Sequence, residues 1–293
     1  MYKNIIWLTV VGLFGLVGNL FTEDVYANSS LSVNVNVTQE IDDSINWLKG
    51  SDSDITAIGI SRPDNRGIAM SREAAIMAAQ RNLIGIVKGM SIDSETTMRD
   101  LIIESDVVNR KITGTLRGAQ IVEEKSMPDG GYYVKMRVPI YGVSDSIASA
   151  ILPALVPDTP KPFEEPTAPV RREVADIQGA GYTGVIVDAS GLGLEPTFSP
   201  VIYDTNGRAI YGIENLQYDA IITEGMVGYS QSVSEGADRA GANPLIIKAV
   251  QVRGGGNSTN QVNAVVSVED ADKILMANES SRMLDRCAVV FVR

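Results

Sequence analysis

Histidine is absent from the 293 residues of this chain, and cysteine occurs only once, at Cys287. Because histidine is the commonest general base and the commonest zinc ligand, its absence excludes every histidine-dependent mechanism. A single cysteine allows neither an internal disulfide nor a CxxC site. The fold must therefore be held by burial of apolar side chains, for which a hydrophobic content of 44% is ample.

Basic residues are also scarce, because 25 lysines and arginines stand against 36 acidic residues and give a net charge of −11. A nucleic-acid partner requires a basic face for its phosphates, and the chain has no basic run. The sequence therefore predicts no nucleic-acid partner.

The segments that come closest to catalytic or ligand-binding motifs each lack an essential part. The glycine-rich turn 191–196 has neither the Gly-Lys-Ser/Thr of a phosphate loop nor the third glycine of a dinucleotide loop, so we interpret it as a structural turn. Cys287 has no histidine partner and begins an apolar run, which is typical of a buried thiol. Asp64–Asn65 and 204–207 lack the alternating oxygen ligands of a calcium loop. We predict no catalytic residue, no cofactor and no metal ion.

The first 27 residues have the pattern of a secretory signal. Lys3 provides a positive start, residues 5–20 are almost wholly apolar, and 25–27 place small residues at the positions that define cleavage. The alternative is a transmembrane anchor, but the apolar run is shorter than the ~20 residues that a spanning helix needs. We expect cleavage after Ala27 and export to the periplasm or cell envelope. No cysteine stands near this site, so we expect no lipid anchor.

The segment from Ser71 to Gly142 changes from helical to extended periodicity. Apolar residues on one helix face predict an amphipathic helix over Ser71–Met90, capped by Ser71. A second helix is predicted over Ser94–Val108. An Asp-Gly turn predicts a hairpin further on, and one strand precedes the helices. The strand before the helices is Ile55–Ile60. The two hairpin strands are Lys111–Lys125, which contains a bulge, and Tyr132–Gly142.

Six of the 12 prolines fall between Pro153 and Pro169, a composition that favours extended chain over a packed core. We therefore predict a signal at 1–27, a first module at 28–152, a proline-rich linker at 153–172 and a C-terminal α/β module at 173–293. The fold class is α/β (α+β): a helix on a small antiparallel sheet, then a second α/β module with a mixed sheet. In the C-terminal module we predict a hairpin at 204–207, strands over Tyr182–Asp188, Ala220–Thr223, Leu245–Val252, 263–268 and Ala288–Val292, and helices over Val233–Ala240 and 267–277.

An ordered set of short motifs runs through the first module: SREAA, AQRN, KG and DSET, followed by two strands of which the second ends in VPIYG. In this set the segment Asp54–Gly142 resembles the LPP-twenty-like family, the small outer-membrane lipoproteins of bacteria. By similarity, its relatives include the N-terminal part of a flagellar assembly protein. The resemblance implies a helix on a small antiparallel sheet, residence in the cell envelope and no established catalysis. This chain departs from the lipoproteins in having no lipobox cysteine.

Aromatic and cationic residues crowd the second strand of the predicted hairpin, and tyrosine with arginine is favoured at interface hot spots. The alternative is a sheet face half covered by the second helix. Arg72 and Arg81 of the first predicted helix are also candidate interaction residues, because the resemblance covers them. Arg81 can equally be a solvated side chain. The candidate interaction residues are Arg72, Arg81, Tyr132, Tyr133, Lys135, Arg137 and Tyr141.

These observations favour a non-enzymatic envelope protein that binds another protein or assembles with copies of itself, with peripheral outer-membrane association as an option. A small-ligand or glycan-binding module is the alternative, and a hydrolase using carboxylates or Cys287 is a distant third. The uncharged strand Leu31–Thr38 either covers an edge of its own sheet or pairs with a neighbouring molecule.

Overall fold

The computed structural model describes residues 44–45, 53–167, 176–254 and 260–293. The predicted signal and the predicted strand Leu31–Thr38 lie outside these residues. The described part confirms the mixed α/β fold, and all of it belongs to one compact unit, Val37–Arg293.

The first sheet is antiparallel and has the strand order β1-β3-β2. It consists of β1 (Asp54–Ser61), β2 (Gln120–Ser126) and β3 (Tyr132–Pro139). Helix α1 (Ile68–Gly89) covers one side of it with residues spaced by four, namely Ser71, Ala75, Ala79, Leu83 and Val87. Gly59 permits this close approach, because a Cβ atom there would lie 2.0 Å from the Ala75 carbonyl oxygen.

The predicted Ser71 cap is wrong. Helix α1 starts three residues earlier, after Gly67, whose φ of 105° suits only glycine. Ser71 lies inside the helix and is buried, and its hydroxyl accepts a hydrogen bond from the Asp64 amide at 3.0 Å. The serine therefore secures the preceding loop.

The region between α1 and β2 contains two helices where one helix and a strand were predicted. Helix α2 (Met98–Glu104) ends at Ser105, which caps helix α3 (Asp106–Arg117). The predicted strand Lys111–Lys125 is thus wrong over its first half and correct from Gln120 onward. The hairpin between β2 and β3 is confirmed, with a bulge at Ile121/Glu123.

Two four-stranded sheets follow helix α4 (Ile147–Leu155). The parallel sheet has the order β7-β11-β4-β8, and the mixed sheet has the order β6-β5-β10-β9. The elements are β4 (Gly184–Asp188), β5 (Ile202–Asp204), β6 (Ala209–Tyr211), α5 (Tyr218–Glu224), β7 (Gly228–Ser230), α6 (Val233–Ala240), β8 (Pro244–Lys248), β9 (Gln251–Arg253), β10 (Asn263–Val266), α7 (Val268–Ser281) and β11 (Val289–Val292).

Most elements of this second region are confirmed, including the 204–207 hairpin and the Ser267 cap of α7. Two predictions are wrong. The predicted strand Ala220–Thr223 is part of helix α5, and the predicted strand Leu245–Val252 is divided between β8 and β9, which belong to different sheets.

The proline-rich segment packs on the second region. Helix α4 extends through Pro153, and residues 156–167 then run without helix or strand. The Phe163 ring stacks parallel to Tyr211 at 6.5 Å, and the Lys161 amide donates to the Glu214 carbonyl. One cluster of buried side chains extends from the first sheet into the second region. The division into modules at 153–172 stays a prediction.

Candidate functional site

One side of the first sheet is turned away from α1 and carries a three-by-three grid of side chains. Alternation along each strand sends every second residue to this side. In the register, each β3 residue of the grid lies opposite one residue of β1 and beside one of β2. We call this surface the open face. Its rows are Thr56–Arg137–Gln120, Ile58–Lys135–Glu123 and Ile60–Tyr133–Lys125.

The β1 column of the open face exposes apolar surface. Ile58 is 44% exposed and Ile60 is 59% exposed, whereas their neighbours Ile55 and Ala57 are buried on the α1 side. Exposed large apolar residues beside an aromatic and a cation are typical of a surface that receives a partner.

The structure places three of the seven candidate interaction residues together: Tyr133, Lys135 and Arg137 form the β3 column of the open face. Tyr132 points to the opposite side and packs against the Ala75 and Ala79 cluster.

The other candidates lie elsewhere. Arg72 of α1 donates to Glu124 at 2.7 Å, and this hydrogen bond raises the pKa of the guanidinium. Arg81 is exposed on α1. Tyr141 is buried and stacks on Phe198 at 5.7 Å, and its burial raises the pKa of the phenol. Tyr141 is therefore a core residue and offers no exposed contact surface.

Sequence reasoning missed the β1 and β2 columns. The run Ile55–Ile60 is apolar or small at almost every position, so it predicts a strand without showing which side is open. The available signal was Gly59, because a glycine inside a strand marks the side that another backbone approaches closely.

The Arg137 guanidinium makes only long hydrogen-bond and ion-pair contacts within the described chain. Its Nη2 lies 3.5 Å from Gln120 Oε1 and its Nη1 lies 3.7 Å from Asp54 Oδ2. Its Nε is buried and has no hydrogen-bond partner within the described chain. Both contacts are longer than good charged hydrogen bonds, which measure ~2.7–2.9 Å. Arg137 thus retains donor capacity toward a ligand.

The other cations of the open face differ in how they are engaged. Lys125 pairs with Glu123 at 3.1 Å and lies 4.6 Å from the centre of the Tyr133 ring. Lys135 has no ion-pair partner among residues 53–167, 176–254 and 260–293. The unengaged positive charge is therefore concentrated in the β3 column.

The edges of the first sheet are obstructed. On β2, a bulge and the charged residues Glu123, Glu124 and Lys125 disfavour strand addition. On β1, the Asn82 side chain of α1 donates to the Ile58 carbonyl at 2.8 Å, and Ile45 forms an antiparallel bridge with Ile55. A partner strand would have to displace these groups, whereas the open face needs no rearrangement.

The remaining motifs have structural explanations. The Cys287 thiol is buried, and this burial raises its pKa to about 11. The Asp204 carboxylate accepts hydrogen bonds from the backbone of Asn206 and from Arg208, and Asp64 accepts from Arg66 in the same way. No cluster of metal-ligating side chains occurs in the part of the chain that the structure describes. None of its helices is long and apolar enough to cross a membrane.

A cleft of about 560 Å³ lies between the proline-rich segment and the end of α7. Its walls include Lys161, Phe163 and Arg282. Both cations are already paired, Lys161 with Glu214 and Arg282 with Asp285. The cleft has room for a small ligand, but both of these cations are engaged within the protein.

Comparison with known proteins gives two matches. Residues 65–138 match the model of the LPP20 lipoprotein family, and residues 184–293 match that of the second domain of Treponema pallidum Tp0624. The first match confirms the predicted resemblance over the stretch that carries α1, β2 and most of β3. No curated protein matches the chain. The relation to a flagellar assembly protein stays a prediction.

Proposed function

We propose that this chain, whose residues 65–138 match the LPP20 lipoprotein family, is a non-enzymatic exported envelope protein that acts as an interaction or assembly module. The match is consistent with an exported envelope protein. The observation that carries the proposal is the open face, where exposed Ile58 and Ile60 flank Tyr133, Lys135 and Arg137. Export follows cleavage after Ala27, without a lipid anchor, and peripheral association with the outer membrane fits this location.

Two features support docking on the face of the sheet. Tyrosine and arginine beside apolar side chains are the residue types that dominate binding energy at interfaces. The edges of the first sheet are occupied by Asn82 on β1 and by the bulge on β2, which disfavours recognition by strand addition.

Site-specific photo-crosslinking in growing cells tests the proposal. A photoreactive residue at Ile60 should give a discrete protein adduct, because this side chain is exposed on the open face. The matched control is Met77, which is 56% exposed on α1. Equal adducts at both positions, or none at Ile60, would contradict the proposal.

The small-ligand or glycan-binding alternative rests on the cleft beside Phe163. Concave sites with a few polar groups are the usual ligand pockets. If this alternative holds, replacing Phe163 with alanine should abolish ligand protection in a thermal-unfolding screen of sugars and metabolites, while the Ile60 adduct stays absent.

A further inference from the structure

We infer that the partner docks an acidic protein segment on the open face, with one carboxylate on Arg137 and a second on Lys135. The inference rests on the proposed function and gives the partner its chemistry. It starts from Arg137, the one arginine of the open face. The N–H donors of its guanidinium are only partly used in hydrogen bonds within the described chain.

An arginine side chain presents five N–H donors in a planar fork that can hold a carboxylate through two of its nitrogens. In Arg137, Nε is buried and unpaired in the described structure, so an incoming carboxylate meets Nη1 and Nη2. Their contacts within the described chain are long, 3.7 Å to Asp54 and 3.5 Å to Gln120, and leave most of their donor capacity unused. The half-exposed guanidinium is therefore accessible to a carboxylate from outside.

Lys135 supplies the second position. It lies two residues before Arg137 on the same side of β3, so the two Cα atoms are about 7 Å apart at ~3.4 Å per residue. Carboxylates at alternate residues of an extended segment have the same spacing. Ile58 stands opposite Lys135 in the register and offers apolar contact to the rest of that segment.

A second copy of the same face does not fit. A two-fold interface places the same patch on both molecules, so the two β3 columns would meet and bring Lys135, the middle residue of the column, close to its own copy. Such like-charge contacts are unfavourable. An acidic membrane surface fits less well too, because polybasic lipid sites use ~4–8 cations. The open face has three cations, and Glu123 engages one of them.

The test uses the exported protein and a blocked extended peptide with glutamate at two alternate positions, followed by amide NMR. We expect chemical-shift changes confined to β1 and β3. A matched peptide with glutamine at both positions should bind at least about tenfold more weakly, because both of its contacts lose a charged acceptor. Arg137→Gln should cause a similar loss, whereas Arg110→Gln, at an exposed position of α3, should bind like the unchanged protein. An unchanged spectrum outside the first sheet shows that each variant is folded.

The outcomes separate this inference from the proposed function. Equal affinity for both peptides, or an unaffected Arg137→Gln variant, overturns the acidic partner while the Ile60 adduct can still form. No shift on β1 or β3 at millimolar peptide also overturns it. Binding to phosphatidylglycerol vesicles that depends on Arg137, without peptide binding, would replace the acidic segment by a lipid surface. An Ile60 adduct with twice the mass of the chain would replace it by a second copy.

Discussion

The first sheet and the parallel sheet bury their strands differently. In the first sheet only the α1 side is buried, so β3 alternates between buried and half-buried residues. In the parallel sheet, β11 is buried at every position and β4 at every position except Asp188. Parallel sheets are usually covered on both sides, whereas antiparallel sheets can leave one side to solvent. The comparison indicates that the second region supplies stability and the first supplies a surface.

The ion pairs of the two regions follow the same division. Arg208 is held between Asp204 and Asp272 at 2.9 and 2.7 Å, with all three side chains largely buried. Arg137 is 41% exposed and lies 3.7 Å from its acidic neighbour. Arg208 joins the 204–207 hairpin to α7, while Arg137 is left available. If this division is correct, substitutions in the two regions should have separable effects.

The largest expected effect follows from Arg208→Ala. Removing one partner of a buried ion pair leaves uncompensated carboxylates and costs about 3–5 kcal/mol. Arg137→Ala, the matched change on the open face, should stay within about 1 kcal/mol because exposed pairs contribute little. Urea unfolding measures both changes. Similar losses in the two variants would refute the assignment of stability to the second region.

Gly59→Ala should have the next largest effect, localised in the first sheet. The added Cβ would collide with the α1 backbone at Ala75, and overpacking of this kind costs about 1–3 kcal/mol. Gly85→Ala, on the exposed side of α1, meets no atom within 4 Å. That control should stabilise the helix by up to ~1 kcal/mol. A tolerated Gly59→Ala would show that α1 does not pack as closely as described.

Lowering the pH should have a smaller effect on the free energy of unfolding, and this effect should depend on Asp272. Burial by itself raises the pKa of Asp272, but hydrogen bonds from Arg208 and Thr167 outweigh it and the pKa lies below its usual value. Such a group contributes stability that is fully present above the unfolded pKa of ~3.9 and is lost as the pH falls through the lower folded value. Asp272→Asn should therefore lose less stability than the unchanged protein as the pH is lowered from about 5 to 3. Exposed Asp158→Asn should retain the original pH dependence in the same urea titration.

The smallest expected change in stability comes from Asn82→Ala. Losing the hydrogen bond to the Ile58 carbonyl costs about 0.5–1.5 kcal/mol. Its consequence for assembly is larger, because the freed edge of β1 can pair with another strand. Light scattering should show more self-association than for Lys88→Ala on the same helix. An unchanged mass would mean that Asn82 does not protect this edge.

Much of the fold follows from local patterns. The Asp-Gly and Asn-Gly hairpins, helix α1 and strands β4 and β11 could be predicted because turn chemistry and period agree there. The segment of α3 could not, because Ile112 and Leu116 are four residues apart, a spacing that fits one helix face and also one strand face. The burial of Tyr141 depends on Phe198, a contact between distant parts of the chain that no local pattern reveals.

The candidate site was predictable in part for the same reason. Alternation along β3 separates Tyr133, Lys135 and Arg137 from the buried residues between them. It does not say which strand lies alongside, so Ile58 and Ile60 could be assigned to the open face only from the strand register.

The buried thiol at Cys287 makes this protein a convenient subject for labelling chemistry. Thiol reagents react with the thiolate, and a buried group with a pKa of about 11 supplies almost none at neutral pH. A cysteine introduced at Ile60 would then be the sole reactive thiol of the folded chain, so a dye placed there reports on the open face alone. In the unaltered protein, the rate at which a thiol reagent modifies Cys287 would instead measure how often the core opens.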